Sequence, residues 1–240
     1  MLTGRRGPGL ALIVAMLGLS VACSQADGGA RDAQAVVAAA QQLAKSVTPG
    51  GASWQAKGDQ HRTYRFAPAN TDEPYRLYVP TSWYGKAQLP LVMFLHGAGN
   101  DESSYVDQNG KQLVNLAQQH GFILLSPLGD MGAYGNFLRL SAPFGDEAAA
   151  AMLIAQVTPD SERTNELSEQ DVINVLELIL NEYPVDRSAV FLTGHSMGSG
   201  GTWYIGGKTR STGRRSLRCQ ALSCRRRGTR GRPCVRWRSS

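Results

Sequence analysis

The residues best suited to covalent chemistry stand at Gly194-His195-Ser196-Met197-Gly198. They follow a short apolar run, Ala189–Thr193, and open a glycine-rich segment that reads as the start of a helix. A serine in such a G-x-S-x-G turn is lifted above the sheet edge, and Gly194 and Gly198 occupy positions where a side chain would clash. Its hydroxyl is a candidate nucleophile for acyl transfer. A second stretch, Leu95-His96-Gly97-Ala98-Gly99, also ends an apolar run. Acyl transfer needs backbone N–H groups aimed at the developing oxyanion, and losing one such donor costs about 3–4 kcal/mol. The expected donors are the N–H of Met197 and that of Ala98, in the loop shaped by Gly97 and Gly99. His96 reads as a brace of that loop. His195 reads as pointing away from the neighbouring hydroxyl, and His61 and His120 as solvated or locally satisfied. None of the four is the expected base.

Two strands must carry these loops. Leu91–Leu95 is a continuous apolar run after Pro90, as expected of a strand buried on both faces, and Ala189–Thr193 is its counterpart. Between them, Leu113–Gln119 belongs to a helix beginning near Ser104 and ending at Gly121, and Phe122–Ser126 is a third apolar strand. Residues 129–167 read as mostly loop, with an alanine-rich helical stretch over 147–157. Ser168 is the expected cap of a helix running to Asn181. Tyr134, Phe137, Leu138 and Phe144 in the loop would suit a hydrophobic acyl group. Arg62–Phe66 and Tyr75–Val79 read as two antiparallel strands. A short helix over 32–47, with Val36, Ala40, Leu43 and Val47 at helical spacing, reads as part of a tether. Alternating strands and helices predict a doubly wound, mostly parallel α/β sheet.

Charge divides the chain. Of 25 Lys and Arg, 12 fall between Lys208 and Ser240 with no acid; residues 1–207 hold the other 13 and all 19 acids, a net of −6. Hydrophobic residues at 42% and charged residues at 18% exclude a disordered or multi-span membrane chain. At the other end, Arg5 and Arg6 precede an apolar run over 10–22, too short for a membrane span and suited to a secretory signal peptide. Ser20-Val21-Ala22 fits cleavage before Cys23, and the same residues are similar to a lipobox that would lipidate Cys23. Both routes export the protein. No cysteine lies between Ser24 and Gly207, so no disulfide framework supports the body. Cys219, Cys224 and Cys234 lack zinc-site spacing. The expected organisation is a signal peptide over 1–22, a tether with a short helix over 23–58, the N-terminal two-thirds of an α/β domain over 59–207 and a basic tail over 208–240.

The segments LVMFLHGAG, FILLSP and VDRSAVFLTGHSMGSGGTWYIGGK together resemble the α/β-hydrolase esterases. More narrowly, they resemble the extracellular polyhydroxybutyrate-depolymerase and feruloyl-esterase-like group, close to peptidases of prolyl-oligopeptidase type. The likeness covers roughly Arg62 to Lys208. It implies an α/β-hydrolase fold, Ser196 as nucleophile, Ala98 and Met197 as the oxyanion hole, and an ester or polyester substrate. It implies neither metal nor organic cofactor, and no nucleic-acid partner.

In that fold the acid and the histidine of the triad follow the serine. After Ser196 there is no Asp, Glu or His. Asp130, Asp146 and His120 precede it and would need a rearranged site. The tail suggests the reason. Its Arg, Ser, Gly, Cys and Thr are what GC-rich DNA encodes when read out of frame. Moving Thr209–Cys224 by one base permits P-L-Y-W-A-A-I-A-A-M-S-G-P-F-V, which resembles the next strand and loop of the esterase group. A frameshift near Lys208 predicts a fold incomplete at its C-terminal end, with no core beyond Lys208 and no strand after Ala189–Thr193. Other readings are a peptidase, a basic arm gripping anions through Arg225–Arg227 and Trp237, and a non-catalytic surface lipoprotein that binds polymer.

Overall fold

The computed structural model describes residues 33–45, 49–51, 53–129, 132–135, 159–211 and 217–219. The signal-like segment, Cys23, Asp130, Phe137, Leu138, Phe144, Asp146, the stretch 147–157 and the tail beyond Cys219 lie outside these residues.

The elements are helix α1 (33–45), strands β1 (Gly58–Phe66), β2 (Thr71–Val79) and β3 (Leu89–Leu95), and helix α2 (Gln108–His120). Strand β4 (Ile123–Pro127), helix α3 (Pro159–Glu182), strand β5 (Val185–Gly194), helix α4 (Met197–Ser211) and strand β6 (Leu217–Cys219) follow. They build one six-stranded sheet of order β1-β2-β4-β3-β5-β6. The β1–β2 and β2–β4 pairs are antiparallel, and β4, β3, β5 and β6 are parallel. Antiparallel strands at one edge, a parallel remainder and a serine turn after β5 make this an α/β-hydrolase fold.

The expected β1–β2 pair is present and longer than its apolar runs, joined by a tight turn in which Asn70 N–H donates to Ala67 O at 3.1 Å. The residues at 109–111 have left-handed backbone angles, so the regular part of α2 begins after Lys111. Gly121, at φ +68°, closes that helix by donating its N–H to Ala117 O at 2.9 Å.

Three expectations need correction. Ser168 does not cap a helix: α3 starts at Pro159, and Ser168 lies fully buried inside it. Pro159 at the first helical position, with Asp160 and Glu162 in the first turn, is the stronger start signal, because proline lacks the N–H a helix leaves unpaired there. Strand β3 is not buried on both faces. Leu89, Leu91, Met93 and Leu95 are buried, whereas Pro90, Val92 and Phe94 are half-buried. A strand does follow β5: β6 pairs with it in parallel, Val190 opposite Leu217 and Leu192 opposite Cys219. The open N–H and C=O row of a sheet edge accepts any extended backbone of suitable register, whatever its side chains.

The sheet's two faces are unequally covered. One carries the main core, in which Leu77, Leu91, Met93, Leu125 and Leu192 pack with Val172, Val175, Ile179 and Ile205 of α3 and α4. Helix α1 joins it through Val37 and Ala40, and Asn181 Nδ2 donates to Ala44 O at 2.9 Å. The buried line of α1 is Ala33, Val37, Ala40 and Ala44, while Val36 is only half-buried. The other face carries a small cluster of Tyr78, Val106, Val114, Ala117 and Leu124 under α2. Val92 and Phe191, opposite each other in register, are half-buried and belong to neither core. Trp203 of α4 is 58% exposed.

Candidate active site

Parallel pairing of β3 and β5 aligns Leu95 with Gly194, so the two loops of interest leave neighbouring strands at the same end of the sheet. His195 N–H donates to Leu95 O at 3.1 Å and ties the loops at their base. Ser196 is exposed and has φ +52°, in the left-handed region that costs a side chain about 1–2 kcal/mol. The strained turn is held by Gly198 N–H donating to His195 O at 2.9 Å and by Ser199 N–H donating to Ser196 O at 2.9 Å. It also depends on two glycines. A methyl group at Gly198 would lie 2.1 Å from Leu95 O, and one at Gly194 would lie 2.5 Å from the Gly198 carbonyl carbon. The serine stands between a strand and a helix as expected, but that strand is not buried on both faces: Ala189, Phe191 and Thr193 are half-buried.

The loop after β3 turns at once. Asn100 N–H donates to Gly97 O at 3.2 Å, and Gly99 takes φ +76°, the left-handed third residue of a type II turn. Ala98 is exposed and Met197 is half-buried. Both sit at the same end of the sheet as Ser196, and among the described residues neither N–H has an acceptor. Unpaired backbone N–H groups are the kind of donor that stabilises a tetrahedral oxyanion.

His96 is 4% exposed, with Nδ1 2.9 Å from Gly97 O and Nε2 2.8 Å from Leu128 O. Each ring nitrogen lies within hydrogen-bond distance of a carbonyl oxygen, and the ring N–H donates to one of them, which ties the loop as expected of a brace. Sequence reasoning missed what fixes His96 in turn. Its backbone N–H donates to Tyr134 Oη at 3.1 Å, and the two rings meet edge-on at 5.4 Å. Tyr134 is fully buried at φ +57°, and its own N–H donates to Ser168 Oγ at 2.8 Å. Burial pushes its phenol well above the ordinary range. Tyr134 was expected to line an acyl pocket; instead it is packed beneath the loop, because Gly129 and Gly201 leave room for its ring and Cβ there. Nearby, Gly129 N–H donates to Asp171 Oδ2 at 2.7 Å, and Tyr64 Oη donates to Asp171 Oδ1 at 2.6 Å.

No histidine is placed to act as base. His195 Nδ1 is hydrogen-bonded to Tyr105 Oη at 2.7 Å. His120 ends α2 at the N-terminal side of β4, whereas Ser196 follows the C-terminal end of the parallel strand β5, so the two occupy opposite ends of the sheet. His61 is exposed on β1, four strands from β5, roughly 19 Å away at the usual strand spacing. Among the described residues there is no group of three or more His, Cys, Asp or Glu able to hold a metal, and no helix long and apolar enough to cross a membrane.

No family model matches the chain. S-formylglutathione hydrolase of Rattus norvegicus is 25% identical over 155 residues, 62% of this chain and 53% of its own length. The chain thus spans about half of the curated relative it matches. Among solved structures it is similar to a thermostable esterase, at 24% identity and a TM-score of 0.42 over 64% of this chain and 38% of the other. It is also similar to an S-formylglutathione hydrolase of Staphylococcus aureus, at 20% identity and 0.41 over 60% and 50%. A ferulic acid esterase of Anaeromyces mucronatus in complex with ferulic acid gives 17% and 0.45 over 67% and 60%. The chain is an α/β-hydrolase in fold, and the proteins it is similar to are esterases and hydrolases.

Proposed function

We propose that this chain descends from an exported serine hydrolase of carboxylic esters that works through an acyl-enzyme on Ser196. The observation that carries this reading is the left-handed, exposed Ser196 above β5, locked by Gly194 and Gly198 against Leu95 O. In the reaction, Ser196 Oγ adds to the ester carbonyl carbon and loses its proton, and the N–H groups of Ala98 and Met197 hold the oxyanion. The C–O bond to the alcohol then breaks, the alcohol leaves protonated, and water releases the acid from the serine ester. The rat relative supports a hydrolase reading through its name. Tyr134 stands under the loop, so an acyl pocket for a polyester or an aromatic acid would be built from residues other than this one.

Among the described residues no side chain is placed to accept the proton from Ser196, and this reading expects slow turnover of this chain. An oxyanion hole and binding alone retain roughly 10³–10⁴-fold acceleration over water when a triad member is removed. A frame break near Lys208 accounts for the missing acid and histidine. It is supported by the acid-free tail composition, by the only half-buried row of Val92 and Phe191, and by the 58% exposure of Trp203. Both an enzyme with a slow nucleophile and a polymer-binding lipoprotein are compatible with such a chain, and one assay separates them. Prolonged exposure to a fluorophosphonate should add one adduct, located on the peptide containing Ser196 and absent from Ser196→Ala. No adduct, or one elsewhere, would sink the nucleophile reading. Sequencing through the Lys208 codon tests the frame break: a one- or two-base change should open a frame encoding an acid and then a histidine. Cys23, if lipidated, holds the protein in a membrane fraction, from which Cys23→Ala would release it.

A further inference from the structure

The geometry points to Tyr105 as a positioning residue for the oxyanion hole, acting through His195; this inference rests on the nucleophile reading above. Tyr105 stands eight residues beyond Gly97 in the chain yet returns to the elbow. Its return is built by a local turn. Asp101 Oδ1 accepts the N–H of Ser103 at 3.1 Å, the N–H of Ser104 at 2.8 Å and the Ser104 hydroxyl at 2.6 Å. The hydrogen bonds from Ser104 and Ser103 hold the Asp101 carboxyl below its usual range. The Tyr105 ring then packs on Phe94 of β3 at 5.0 Å, and its hydroxyl meets His195 Nδ1 at 2.7 Å.

This contact closes a frame around the proposed donors. At the base, His195 N–H is bonded to Leu95 O; at the top, the His195 ring is bonded to Tyr105, which belongs to the chain leaving the Ala98 loop. Gly97 lies between the two. A methyl group there would come within 3.1 Å of Tyr105 Oη and 3.2 Å of His195 Nδ1. The Ala98 N–H belongs to one side of this frame and the Met197 N–H to the other. The Tyr105–His195 bond therefore sets how the two donors face each other, which matters because an oxyanion must be reached by both at once.

The chain suits the test as it stands. With no described side chain placed as base, the acceleration at Ser196 rests on the oxyanion hole and binding, so a change in donor alignment is not masked by proton transfer. Fluorophosphonate labelling of Ser196 is followed by intact mass over a range of probe concentrations, separating the binding constant from the limiting rate. Tyr105→Phe keeps the ring on Phe94 and removes only the hydroxyl; His195→Ala removes the other partner. Each should lower the limiting rate roughly three- to tenfold, the rate equivalent of one ordinary hydrogen bond, with probe affinity unchanged and the thermal midpoint lowered by no more than the few degrees one hydrogen bond is worth. The double variant should be no slower than the worse single variant, because both changes break one coupling. Labelling of Tyr105→Phe at the parental rate, a loss confined to probe affinity, or effects that multiply in the double variant would overturn this role while leaving the nucleophile intact. Absence of label at Ser196 in the parent would overturn both.

Discussion

Replacing Gly198 by alanine tests the physical basis of the elbow. The added methyl would lie 2.1 Å from Leu95 O, 2.6 Å from Leu95 C and 2.7 Å from His96 O. An ordinary carbon–oxygen contact is about 3.3 Å or more. The start of α4 and the end of β3 would thus have to separate by more than an ångström, and both are backbone, held by the His195–Leu95 hydrogen bond. Overpacking of a core costs about 1–3 kcal/mol when side chains can yield; with backbone on both sides the upper end applies, about 3 kcal/mol. For a domain of this size that is a fall of about 6–12 °C in thermal midpoint. Gly207, in the same helix, is the control. It is exposed and a methyl there would meet nothing within 4 Å, so Gly207→Ala should stabilise by about 0.5–1 kcal/mol through lower backbone entropy of the unfolded chain. Thermal or urea unfolding of both variants reads the difference in sign. If Gly198→Ala unfolded within about 1 kcal/mol of the parent, the tight approach of elbow and β3 would be wrong.

Three further predictions concern the same framework. Ser196→Gly should raise stability by about 1 kcal/mol, because glycine adopts φ +52° without the penalty serine bears; a less stable variant in urea titration would remove the strain argument. Ser168→Ala should cost about 1–3 kcal/mol, since it leaves the N–H of buried Tyr134 without its acceptor, and thermal unfolding would show it. Asp59 is held at about 2, against an ordinary 3.8, chiefly by its hydrogen bond from the buried Arg76. Its lowered value means its contribution is complete above pH 3.8 and fades as pH falls through about 2. Asp59→Asn should therefore cost about 1–2 kcal/mol at neutral pH, discounted for its partial solvation, and should flatten the acid limb of the stability curve. An unchanged acid limb would place the coupling elsewhere.

Much of the chemistry was legible in local patterns. Gly194 through Gly198 specify a turn that few other residues tolerate, and the apolar run before it specifies a strand, so Ser196 could be located without coordinates. Likewise, the lack of any Asp, Glu or His after Ser196 is a property of the chain alone. What could not be read this way depends on residues distant in sequence. Tyr134 carries the signature of a pocket aromatic, yet its place beneath His96 depends on the space left by Gly129 and by Gly201, the latter 67 positions away in the chain. Ser168 carries the signature of a cap, yet Pro159 starts the helix earlier and turns its hydroxyl into the acceptor of a loop N–H. The half-burial of Val92 and Phe94 was decided by what covers a sheet face, and apolar composition carries no record of that. Periodicity and turn chemistry act over a few residues and survive in the sequence; steric room, face coverage and the partner of each buried polar group arise only when the sheet brings separate segments together.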